Sequence, residues 1–214
     1  RLRALLEEQP ADAAAWFRDR LEEPYEEPQT RAHQYGLAIA LQRQRDLDGA
    51  RQWLERLLER DPNKLAYQLQ MADLDLEAGR ENQALERFDE WYRTFPGNHA
   101  IAVHYGEALL RSRDPERAAL AGEILGEQLL TRKDDPRLHE LSARAASIAG
   151  NEADANEALA EAYFHRGSGP EALEQLELLL DRDDIDYYQR ARATARLEEM
   201  RVILSDFEDP PSDS

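Results

Sequence analysis

Apolar positions along the chain recur at helical spacing, in stretches separated by short polar turns, and no run alternates apolar and polar residues with branched side chains over strand length. The pattern therefore predicts helices throughout. Two segments between Thr30 and Pro96 repeat the same punctuation. Leu37, Ala38, Leu41, Ala50, Leu54, Leu57 and Pro62 form one register, and Met71, Ala72, Gly79, Ala84, Phe88, Trp91 and Pro96 form the next. Ala50 to Ala84 and Pro62 to Pro96 are each 34 residues apart. A helix pair joined by a tight turn satisfies this pattern if small residues lie where the two backbones come closest, at Ala38, Ala50, Ala72 and Ala84.

That period is the one of the tetratricopeptide repeat (TPR), so the predicted fold class is all-α: a TPR α-solenoid, a right-handed superhelix of antiparallel helix pairs, each burying its apolar stripe against the next. Residues 1–29 read as leading helices and a Pro/Glu linker, 30–204 as the solenoid with a terminal capping helix, and 205–214 as a disordered tail. Arg1 to Glu8 reads as a helix end, and Pro10 opens a helix whose apolar face carries Ala14, Phe17 and Leu21. The prolines at 24 and 28 mark a linker, after which Thr30 caps the first repeat. Beyond Pro96, Tyr105, Gly106 and Leu109 keep the register and Ala118 lies 34 residues past Ala84. The next proline, Pro136, is 40 residues past Pro96, which predicts about six extra residues between Pro115 and Asp135 that lengthen a helix begun by Asp114 and Pro115. The helix containing Leu159, Ala160 and Tyr163 fits two registers, closing one repeat and opening the next with Gly167, Ala172, Leu176 and Leu179. A loop from Asp181 to Asp186 precedes a last helix over 187–204, capped by Asp186, with a stripe of Tyr188, Ala191, Ala195, Leu197, Met200 and Leu204.

Composition narrows the function. A formal net charge of -18 disfavours nucleic acid and anionic lipid as main partners. No apolar run approaches the roughly 18 to 20 residues needed to span a bilayer. The absence of cysteine excludes a disulfide framework but leaves the compartment open. The opening Arg1-Leu2-Arg3, inside an amphipathic pattern, is what a segment of a longer chain would show.

Candidate chemistry is sparse. His139-Glu140 is the first half of a zinc-protease helix signature, but the second histidine would stand at position 143, which is Ala143. His33, His99, His104 and His165 form no metal pair, and the acidic loop lacks the glycine and the late glutamate of a helix-loop-helix calcium site. There is no cysteine nucleophile, no glycine-rich phosphate loop and no nucleophile elbow, so no cofactor and no catalysis are expected in this chain. Trp16, Trp53, Trp91, Phe88 and Tyr105 stand at helical spacing among leucines and read as packing.

The runs Tyr35-Gly36-Leu37-Ala38-Ile39-Ala40-Leu41-Gln42, Asp46-Leu47-Asp48-Gly49-Ala50, Ala158 to Gly167 and Asp186 to Arg192 resemble the C-terminal repeat region of BepA-type (YfgC-type) periplasmic zinc metalloproteases of Gram-negative bacteria. The resemblance implies a non-catalytic repeat domain that docks on an attached protease domain and contacts the outer-membrane β-barrel assembly machinery and its substrates, in the periplasm. It carries over no zinc ligand. A stand-alone TPR scaffold without a protease is the alternative, and a clamp for acidic tails is disfavoured by Asp73, Glu77 and Glu107 among the inward positions.

The expected partner is a protein or an extended peptide, held on the opening helices. Counting inward positions gives Tyr35, Ile39 and Arg43, then Leu69, Asp73 and Glu77, then Val103, Glu107 and Arg111, an alternation of apolar anchors and charges of both signs. On this reading Tyr35→Ala together with Arg111→Glu weakens capture without lowering the melting temperature.

Overall fold

The computed structural model describes residues 9–208, so the helix end predicted over 1–8 and the tail from 209 onward lie outside the described residues. Eleven helices and no strand are present among the described residues. They fall into two compact units, one up to Thr94 and one from Phe95. The first unit holds α1 (Pro10–Glu22), α2 (Glu27–Arg43), α3 (Leu47–Arg60), α4 (Leu65–Glu77) and α5 (Glu81–Thr94). The second holds α6 (His99–Leu109), α7 (Pro115–Leu129), α8 (Pro136–Ile148), α9 (Glu152–His165), α10 (Gly169–Leu180) and α11 (Tyr187–Glu208).

Helix starts follow from capping chemistry. Asp46, Asn98, Asp114, Asp135 and Asn151 each accept a backbone N–H from the first turn of the following helix, and prolines fill the first turn of α7 and α8. Asp186 and Gln189 form a reciprocal pair at α11: Gln189 N donates to Asp186 Oδ1 at 2.7 Å, and Asp186 N donates to Gln189 Oε1 at 3.0 Å. Thr30 is not the cap of α2. That helix begins at Glu27 because Pro28 is accommodated within its first turn, and the Thr30 hydroxyl donates back to Glu26 O at 3.2 Å. At the other end α11 extends to Glu208, four residues into the segment expected to be a tail.

The small residues sit where the register puts them, with Ala38, Ala50, Ala72 and Ala84 all buried. In α2 every residue from Tyr35 to Gln42 is buried, because α1, α3 and α4 all pack on it. Ala84→Leu should cost about 1 to 3 kcal/mol by overpacking. Ala78→Leu, at the half-buried C-cap of α4, should cost less, and urea midpoints of the two variants measure the difference.

The turn inside each repeat places one residue at positive φ: Arg45 at 67°, Gly79 at 76° and Arg113 at 55°, spaced by 34 and 34. The following turns carry Gly150 and Gly167 at 82° and 81°, the left-handed conformation that ends a helix and that glycine adopts without a Cβ penalty. Gly150 lies 37 residues after Arg113, so three residues are inserted here rather than six. α7 has only one residue more than α5, and the connection to α8 takes the rest. The count from Pro96 misled because Pro136 is the first residue of α8, whereas Pro96 precedes α6 by three residues.

Gly167 follows Gly150 by only 17 residues, half a repeat. Both ends of α9 therefore carry the same intra-repeat turn, with Asn151 N donating to Ala146 O at 2.8 Å and Ser168 N to Tyr163 O at 2.9 Å. The second-neighbour contacts show the same change of phase, running α6 to α8 and then α9 to α11. α9 closes one repeat and opens the next.

The last helix buries only part of the predicted stripe. Ala193, Leu197 and Met200 are buried, whereas Ala191 and Ala195 are exposed and Tyr187 and Tyr188 are each 79% exposed. Three-residue and four-residue steps through Leu197 and Met200 lead back to Ala193, not to Ala191.

Candidate inner binding face

In the first unit the apolar inward positions belong to the core. Ile39 is 3% exposed, Tyr35 and Leu69 9% each. The Tyr35 hydroxyl donates to Ala66 O at 3.0 Å, and its ring lies 5.1 Å from that of Tyr67. Tyr35→Ala would therefore open a cavity and lower stability, contrary to the expectation of an unchanged melting temperature. Polar groups line the seam between α2 and α4. Buried Gln42 donates from Nε2 to Glu77 Oε1 at 2.7 Å and accepts on Oε1 from Gln70 Nε2 at 2.7 Å. Arg45 Nη1 approaches Glu77 at 3.4 Å. Arg43 and Asp73 are half-buried and engaged with neighbours.

In the second unit Val103 is half-buried, Glu107 is ion-paired with Arg137, and Arg111 is exposed. Arg144 Nη2 donates to Leu110 O at 2.9 Å, tying α8 to the end of α6.

Two further charge pairs join α9 to α11 in the second unit. Arg192 holds Glu157 through two bonds of 2.7 and 2.6 Å, and Arg196 holds Glu161 through two of 2.7 Å. Each pair spans 35 residues, as Gln42 and Glu77 do. Opposite charges one repeat plus one residue apart were the available signal, missed because the predicted inner positions stopped at Arg111. The Glu161 carboxylate raises the Arg196 guanidinium above its ordinary value, its bond to Glu161 outweighing the opposing effect of burial.

His139 stacks on His165 with ring centres 5.5 Å apart, and its Nε2 lies 2.6 Å from Lys133 O, so the half-motif is a contact between α8 and α9. Among the described residues no group of three or more His, Asp or Glu side chains is placed to hold a metal ion. Within each unit the inner positions carry hydrogen-bonding and charged groups held by their neighbours.

The tetratricopeptide-repeat family profile matches residues 18–64 and 69–126, stopping before the inserted residues and the shared helix. The chain is 28% identical over 179 residues to the β-barrel assembly-enhancing protease of Escherichia coli (strain K12), an alignment covering 84% of this chain and 36% of that protein. For the protease of the same name from Yersinia pestis the identity is 25% over 176 residues, covering 82% and 36%. The chain thus spans about a third of the length of these curated relatives. Among solved structures it resembles a tetratricopeptide repeat protein from Parabacteroides merdae (TM-score 0.56, 14% identity, 90% of this chain and 80% of that one). It likewise resembles MamA from Desulfovibrio magneticus RS-1 (TM-score 0.56, 17% identity, 89% and 96%). The chain carries tetratricopeptide repeats and folds as a TPR α-solenoid, an architecture of protein-interaction modules.

Proposed function

We propose that this chain is the non-catalytic protein-binding module of a periplasmic metallopeptidase that serves outer-membrane protein assembly and quality control. The observation that carries the proposal is the identity to the β-barrel assembly-enhancing proteases, which runs through most of this chain and includes the region beyond the repeat-profile match. The partner is a protein or an extended segment, the outer-membrane β-barrel assembly machinery being the first candidate. No helix among the described residues is long and apolar enough to cross a membrane.

Recognition is assigned to the inner positions that remain accessible. In the first unit these are Arg43, Asp73 and Glu77, and in the second Val103, Glu107 and Arg111. Charges at the rim of such a face set association rate and direction more than they set stability.

The test is titration of the purified assembly complex with the chain and two variants. Arg111→Glu, an exposed change on the inner face, should weaken binding about fivefold or more. Arg56→Glu, on the exposed side of α3, should leave it unchanged. Equal losses for the two variants, or no binding by the parent chain, would remove the assignment.

A further inference from the structure

The second unit contains an open groove walled by α7, α8 and α9. α7 and α9 both pack on α8 without touching each other, and a cavity of about 480 Å³ lies between them. Its α7 wall carries Ala119, Gly122 and Gly126, and its floor on α8 carries Ser142 and Ala146. Leu129 and Glu123 line it as well, and the rest of the α7 wall is alanine and glycine. A Cβ added at Gly126 would meet no atom within 4 Å. The Ser142 hydroxyl oxygen is covered beneath this floor, with no hydrogen-bond partner among the described residues. The cavity runs on into a second, of about 380 Å³, through Asp154 and Ala158, which line both.

The charge at the groove specifies what it accepts. Glu157 and Glu161 are matched by Arg192 and Arg196, whereas Glu123 is exposed with no cationic partner among the described residues, and the exposed Asp154 shares Arg192 with Glu157. The chain as a whole carries -18, so a basic partner is steered toward it and an acidic one repelled.

We propose that the α7–α8–α9 groove docks an amphipathic helix of a partner protein, large apolar side chains inward and Lys or Arg along the edges facing Glu123 and Asp154. Walls of alanine and glycine let the incoming helix approach closely, and leucine-sized side chains fill the space that the chain leaves empty. The inference rests on the protein-binding reading but not on the identity of the assembly machinery as partner.

The probe is a synthetic helix of leucine and lysine, about 18 residues long so that at 1.5 Å per residue it covers the α7 wall, with a glutamate-for-lysine version as control. Gly126→Leu fills the groove and replaces a helical glycine, so the folded chain should be as stable as the parent or more so. It should nevertheless weaken the lysine peptide by about tenfold or more. Glu123→Lys should weaken it comparably, while Glu59→Lys, the same charge change on an exposed site of α3, should not. Equal losses for Glu59→Lys and Glu123→Lys, unchanged binding in Gly126→Leu, or equal binding of the glutamate peptide would overturn the proposal. So would a dimer in sedimentation that Gly126→Leu dissociates, since the occupant would then be a second copy. A failed titration of the assembly complex leaves this outcome unaffected, because the synthetic helix is measured separately.

Discussion

Asp75→Ala should lower the stability of the unit up to Thr94 by about 3 kcal/mol, far more than loss of any one of the arginines around it. The carboxylate is fully buried between Leu74 and Leu76 near the end of α4. Three guanidinium groups from different elements converge on it: Arg51 of α3 pairs with Oδ1, Arg80 of the following turn donates from Nε to Oδ1 at 2.9 Å, and Arg87 of α5 brings Nε to 3.3 Å from Oδ2. The last is an ion-pair approach rather than an aligned hydrogen bond, since Oδ2 has no partner of hydrogen-bond geometry. Removing the carboxylate leaves three like charges without their common counter-ion. Removing Arg87, whose side chain is 41% exposed, leaves the carboxylate with two partners and should cost under about 1 kcal/mol. Urea midpoints for Asp75→Ala and Arg87→Gln decide the matter: equal shifts would mean that Asp75 is not the hub.

Gly36→Val should be nearly as damaging, by a steric route. A Cβ at position 36 would stand 2.3 Å from both Cε1 and Cζ of Phe17, a separation no packed pair tolerates. Phe17 is itself buried and belongs to the cluster that joins α1 to α2 and α3. Either the ring leaves the core or the two helices separate, at about 3 kcal/mol in both cases. Trp16 packs against the same cluster with its ring 4.9 Å from Phe17, so its fluorescence should report α1 undocking. A second change, Phe17→Ala, should restore part of the loss caused by Gly36→Val. Independent, additive losses would show that the ring is not what excludes the valine.

These two sites also mark the limit of what the residue pattern reveals. Ala38, Ala50, Ala72 and Ala84 were legible because a fixed backbone approach recurs at a fixed period and admits only a small side chain. Asp75 was not, although an acid between two leucines in a helix is a visible anomaly, because its partners come from 24 residues before it and from 5 and 12 after it. No periodicity connects such positions. Tyr35, Ile39 and Leu69 were counted as inward positions open to a partner, yet all three are buried, Tyr35 by its contacts with Ala66 and Tyr67 of α4. Periodicity gives the side of a helix. How far a neighbouring helix covers that side depends on packing. The first part of the α11 stripe failed for a related reason: Tyr188 near its start looks like an anchor, and only the docking of Ala193, Leu197 and Met200 against α9 and α10 shows that it faces water.

The doubled role of α9 bears on how this part of the chain opens. In a regular repeat array each helix pair can detach from the end as a small cooperative block, leaving the pairs behind it intact. Here the pair ending in α9 and the pair beginning with α9 have no boundary between them, since the same fourteen-residue helix supplies half of both. Fraying from the C-terminal side that detaches α10 must therefore pass through α9 and strip α8 of its partner. Backbone amides of α8 through α10 then share one opening free energy, and exchange with solvent as a single step where an ordinary array would show two.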